Sequence, residues 1–104
     1  MAFHGRRFAL KHLGTLRGRG SLSTRRGRRL GAVDYEIDGY VDSRQRSANG
    51  RISGSADVLR QAFEAGVARI TLQDGPAIDV VLADPQGEPA AEFVVSGPPP
   101  SFGH

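Results

Sequence analysis

Six arginines, Arg17, Arg19, Arg25, Arg26, Arg28 and Arg29, fall within the run LRGRGSLSTRRGRRLG between Leu16 and Gly31. Guanidinium groups at this density suit one chemistry above others. They neutralise phosphates, displace condensed counterions and so give an affinity that falls steeply with salt while carrying little sequence information. Whether an arginine does this depends on what stands beside it in the fold. The surrounding pattern divides the run in two.

From Thr15 onward, Leu16, Gly18, Gly20 and Leu22 alternate with Thr15, Arg17, Arg19 and Ser21, the two-residue period of a half-buried strand. A clearer strand, VDYEIDGYVD, runs from Val33 to Asp42, with Val33, Tyr35, Ile37, Gly39 and Val41 on one face. Between them RRGR reads as a four-residue hairpin loop, with Gly27 free to take a positive φ. Pairing Thr24 with Arg29 places Leu16 opposite Ile37, Tyr35 over Gly18, Arg17 opposite Glu36 and Arg19 opposite Asp34. Arg17 and Arg19 are then members of a cross-strand charge ladder. Arg25, Arg26 and Arg28 sit at the tip, where the opposite strand offers no acid. With Arg29 and with Arg6, Arg7 and Lys11 of the basic beginning, they form the candidate polyanion-binding set.

The charge of the chain is split in the same sense. Residues 1 to 33 hold eight Arg and one Lys with no acid, a charge of +9, whereas residues 34 to 104 carry −6. Such a block marks an arm for nucleic acid or an anionic surface, or a half neutralised by the other on folding. A single Lys among 14 cationic residues also points to a compositional bias, so arginine itself carries no separate message.

Other chemistries find less support. There is no cysteine, which excludes disulfides, thiolate zinc sites and cysteine nucleophiles. His4, His12 and His104 lie near the ends and read as exposed histidines. Asp34, Glu36, Asp38 and Asp42 share the wet face of a strand, where alternating acids opposite arginines need no catalytic explanation. No nucleophile elbow, P-loop or dinucleotide fingerprint is present. The sequence assigns no catalytic residue, metal ligand or cofactor, and the expectation is a non-enzymatic binding module.

Beyond the hairpin, a third strand is predicted around Arg51 to Gly54 after a turn at Asn49-Gly50. Ser55 then caps a short helix, ADVLRQAFEA, that ends at Gly66 and plugs one end of the sheet. Strands at Val67 to Leu72, Ile78 to Ala83 and Ala90 to Ser96 follow, separated by turn-rich segments. The expected fold is mainly β, or α+β: a small antiparallel sheet or partly closed barrel in the order β-β-β-α-β-β-β. A helix after the third strand is also the arrangement of the OB-fold. At 104 residues the chain holds one core. Residues 1–13 form a basic arm, 14–97 a β-rich domain and 98–104 a proline-rich tail. The expected core is Leu16, Leu22, Val33, Tyr35, Ile37, Val41, Ile52, Leu59, Phe63, Ile70, Leu72, Ile78, Val80, Leu82, Phe93 and Val95.

RRGRR followed by QRSANG resembles the arginine pair and D/N-x-S-x-x-G pattern of PilZ domains, small barrels that bind cyclic di-GMP. The resemblance implies nucleotide contacts at Arg25, Arg29, Ser47 and Gly50. Gln45 departs from the family's acidic or amide residue, and the helix follows the third strand where the family usually places one after the barrel. A protein-interaction module, binding an acidic partner or a second copy, is the other class the charge split allows. No apolar run approaches the roughly 20 residues of a spanning helix, and the start HGRRFALKHLG lacks the apolar stretch of a secretory signal. It resembles a transit peptide in composition but leads directly into a strand, so the expected location is the cytoplasm without membrane insertion.

Overall fold

In a computed structural model of the chain, residues 11–42 and 45–102 are described. The elements are β1 (Lys11–Thr24), β2 (Arg29–Asp42), β3 (Gln45–Ser53), α1 (Ala56–Glu64), β4 (Val67–Thr71), β5 (Ala77–Leu82) and β6 (Ala90–Val95). The strands close into an antiparallel barrel in the order β1-β2-β3-β6-β5-β4. The expected order of elements holds, and closure is complete. An OB-fold has five strands and is partly open; here six strands pair all the way round, with the helix after β3 as the shared feature.

The β1–β2 pairing follows the register read from the alternation, with Leu16 opposite Ile37, Arg17 opposite Glu36, Gly18 opposite Tyr35 and Arg19 opposite Asp34. Tyr35 lies over Gly18, and its hydroxyl accepts a hydrogen bond from the Gln73 backbone N–H at 2.9 Å. At the tip the register slips. The Thr24 N–H donates to the Arg28 carbonyl at 2.9 Å, so the loop has three residues, Arg25 to Gly27, and Ser23 pairs with Arg29. A three-residue loop of this kind ends on a residue with positive φ, which Gly27 supplies at 95°. The shift is absorbed between Leu22 and Ser23.

β3 begins earlier than expected and runs without interruption through Asn49-Gly50, the dipeptide read as a turn. Gly50 pairs with Ile37 and is needed for close approach: a Cβ there would run into the Glu36 carbonyl oxygen of β2. β1 likewise starts at Lys11, within the segment read as an arm. Ser55 holds the extended backbone of an N-cap but makes no side-chain capping bond.

Alternate residues of every strand meet inside, where Leu22, Ile37, Ile52, Leu59, Ile70, Val33 and Val80 are the largest fully buried side chains. α1 touches β1, β2, β4, β5 and β6 and stops one end of the barrel with Leu59 and Ala62, while Val58 lies against Gly31. Phe63, expected in the core, is 38% exposed, because Leu59 and Ala62 hold the centre of the helix's apolar stripe and Phe63 its margin. Leu16 and Val95 pack against the core from its edge, and Val41 is half-buried where β2 runs on past the barrel. Ala48, Ala62, Ala68 and Ala91 complete the interior. Among the described residues no helix is long and apolar enough to cross a membrane.

Two substitutions check this packing by urea denaturation. Ile37→Asp puts a charge at a fully buried position and is expected to cost roughly 4 kcal/mol or more. Gly50→Ala should cost about 1–3 kcal/mol, because backbone must move to admit the methyl group. An unchanged midpoint for either would contradict the register.

Candidate functional site

Each arginine's worth as a binding group depends on its neighbours. Arg17 Nε bonds Glu36 Oε2, and Arg19 Nη1 lies 3.5 Å from Asp34 Oδ1. Arg60 on α1 bridges Asp57 and Glu64, and Arg69 Nε meets Asp79 Oδ1 at 3.1 Å. These pairs are solvated, so each adds only ~0–1 kcal/mol to stability. Their larger effect is to answer charge locally.

The turn differs. Arg25, Arg26, Arg28 and Arg29 are all exposed, and among the described residues none of them forms an ion pair. The turn itself is tied down. The Arg28 backbone N–H donates to Thr24 Oγ1 at 3.1 Å, and the Gly27 N–H donates to the Thr24 carbonyl at 2.9 Å. Arg28 Nη2 also donates to Gln61 Oε1 at 3.3 Å, and Gln61 Nε2 donates to Asp57 Oδ2 at 2.8 Å. Through that chain the hairpin tip is braced against α1. Asp57, bonded by Arg60 and Gln61, is held below the usual carboxylate range and stays an acceptor in this network. Gln61 escaped the sequence reading, because the angle at which the helix meets the hairpin is set by packing.

Of the remaining members of the expected set, the one described does not join the turn. Lys11 pairs with Val41 at the opposite end of the 14-residue β1. Arg6 and Arg7 lie outside the described residues, as do His4 and His104. Ser47 pairs with Tyr40 near the far end of β2, and Gly50 pairs with Ile37. The fold therefore holds the PilZ-like serine and glycine well apart from Arg25 and Arg29.

At that far end a second polar group forms. The Thr15 hydroxyl donates to Asp38 Oδ1, His12 Nε2 lies 3.0 Å from the same oxygen, and the Tyr40 ring is 5.4 Å from the imidazole at a 53° tilt. The hairpin register already sets Thr15 opposite Asp38. Both Thr15 and Asp38 approach the same imidazole nitrogen, so the relay of a hydroxyl nucleophile, base and orienting acid is not built here. The Thr15 bond, and after it the His12 contact, hold the Asp38 carboxyl below its ordinary value. Among the described residues no three His, Asp or Glu side chains converge as a metal site would need.

The outer face of β2, β3, β6 and β5 carries an open groove of about 630 Å³, lined by Glu36, Asp38, Arg51, Glu92, Val81 and Val94 among others. Glu36 is answered by Arg17, which leaves Asp38 and Glu92 beside Arg51, so the face carries a small acidic excess, opposite in sign to the turn. Comparison with protein-family models, with curated proteins and with solved structures finds no match.

Asp38 gives a pH test. Because its carboxyl is depressed in the folded chain, the stability it contributes is present above the unfolded value of about 3.9 and is lost as pH falls through the lower folded value. Urea midpoints should therefore show wild type ahead of Asp38→Asn at pH 7, with the lead shrinking as pH falls below about 3.9. A lead that stays constant or grows as the pH is lowered would contradict the assignment.

Proposed function

We propose that the protein is a non-enzymatic binding module that holds a polyanion, nucleic acid foremost, at the β1–β2 turn through Arg25, Arg26, Arg28 and Arg29. The observation that carries the reading is the clustering of arginines that no carboxylate answers. Arg17, Arg19, Arg60 and Arg69 each have a carboxylate partner; Arg46 and Arg51 are exposed and form no ion pair among the described residues, but they lie singly on β3, Arg51 opposite Glu36 and Glu92. At the turn, Arg25, Arg26, Arg28 and Arg29 are exposed together and, among the described residues, form no ion pair. A guanidinium group presents a planar fork of donors matched to phosphate oxygens. Four of them on and beside a turn whose backbone is tied down are held close enough together to engage one phosphate chain.

The contacts expected are to the backbone of the nucleic acid. Base recognition in single strands relies on aromatic platforms, and Tyr40 is placed against His12 at the other end of β2. Binding should therefore depend strongly on salt and weakly on sequence. An acidic protein would meet the same charges, and the experiment separates the two.

Purified protein freed of nucleic acid is titrated with single-stranded DNA, single-stranded RNA and polyglutamate over a salt series. Binding to the nucleic acids with a steep salt slope, and much weaker binding to polyglutamate, is expected. Neutralising Arg25, Arg26 and Arg28 together to Gln should flatten the log–log slope by about 2, at ~0.7 per lost phosphate contact on a single strand. Arg17→Gln should leave the slope unchanged. Equal effects of the two variants, or no binding at low salt, would overturn the reading.

A further inference from the structure

β6 ends at Val95, and the Ser96 N–H donates to the Asp79 carbonyl at 2.9 Å. The chain then runs Gly97-Pro98-Pro99-Pro100-Ser101-Phe102. Three consecutive prolines have no amide to donate, so this segment cannot extend the sheet as a strand. It crosses to the β1–β2 ribbon and seats Phe102 on it.

The seat is made by two glycines. Gly14 of β1 pairs directly with Gly39 of β2, which leaves a stretch of bare backbone between neighbouring strands. A Cβ at Gly39 would run into Cε2 and Cδ2 of Phe102, and one at Gly14 would lie 3.6 Å from its Cβ. Gly39 is buried although it has no side chain, because the phenyl ring covers it. Phe102 packs there against the core. Between the proline run and the barrel lies a cavity of about 800 Å³, with Leu16, Tyr35, Leu72 and Ile78 on its barrel side. The prolines thus bridge open space, and the anchor is the ring on the glycine pair.

We infer that the Gly14–Gly39 trough is a recognition site for a phenylalanine that follows a proline run, and that its partner in trans is the same segment of a second copy of this chain. The segment's own fit to the trough is the argument for that occupant. Filling in cis and in trans uses identical contacts, so exchange needs only release of Phe102 and a different path for the chain after Ser96. The trough lies toward the end of β1 opposite the arginine turn, so this inference does not depend on the binding function proposed above.

Complementary full-length variants test it. Phe102→Ala leaves the trough open and removes the anchor; Gly39→Ala blocks the trough and keeps the anchor. Each alone should be monomeric by light scattering, and their mixture should form a one-to-one heterodimer at high concentration. Absence of the heterodimer, with both variants folded by circular dichroism, would overturn the inference. Should Gly39→Ala fail to fold, the peptide SGPPPSF titrated onto Phe102→Ala decides the matter. Saturable binding, weakened about ten-fold or more when alanine replaces the peptide's phenylalanine, supports the site. No binding, or binding indifferent to that replacement, overturns it.

Discussion

The cross-strand contact of Leu16 with Ile37 fixes which face of the β1–β2 hairpin is inside. Strand side chains alternate with a period of two, so a slip of one residue would turn Ile37 and Tyr35 outward and bring Glu36 and Asp38 into the core. The buried positions therefore hold the charged ones in place. Once Ile37 is inside, Glu36 and Asp34 must be outside, and Arg17 and Arg19 lie opposite them. The charge ladder is a consequence of apolar burial, which stabilises the hairpin far more than solvated ion pairs do.

The same constraint leaves the turn arginines as they are. Beyond Leu22 the register shifts, the loop closes between Thr24 and Arg28, and the facing strand has no acid left to offer. β4, which takes up β1 at Ser21 to Thr24, brings Arg69 to that end already paired with Asp79. What remains is an exposed concentration of positive charge on a turn with a tied-down backbone, with a more acidic face on β2, β3 and β6. The uneven split of charge along the sequence thus becomes a split across the surface, only partly neutralised by the ladder. A field of this kind acts on association with anions and has little bearing on the fold itself.

Much of this was legible in the residues. The alternation in β1 and β2 carried the register through Leu22, and with it the division of Arg17 and Arg19 from Arg25, Arg26 and Arg28. Closure was not legible, because the β1–β4 and β3–β6 pairings join segments distant in sequence and leave no local mark. Asn49-Gly50 carries the strongest short-range turn signal, yet Gly50 is there so that β2 can approach closely, a demand visible only in three dimensions. Lys11 groups with the turn by its nearness in sequence alone, whereas an extended strand of 14 residues carries its ends far apart. Phe102 reads as part of the proline-rich tail, since nothing local says that Gly14 and Gly39 will lie side by side. Phe63 fitted the helix pattern but sits at the stripe's margin.

The most direct test of the account is to follow the arginine side chains one by one. In ¹⁵N-labelled protein, the Nε–Hε resonances can be assigned and recorded while a short single-stranded oligonucleotide is added at low salt. Shifts concentrated at Arg25, Arg26, Arg28 and Arg29, with Arg17, Arg19, Arg46, Arg51, Arg60 and Arg69 nearly still, are expected if clustering without carboxylate partners is what makes an arginine a binding group. Shifts spread evenly over both groups, or centred on Arg17 and Arg19, would contradict it.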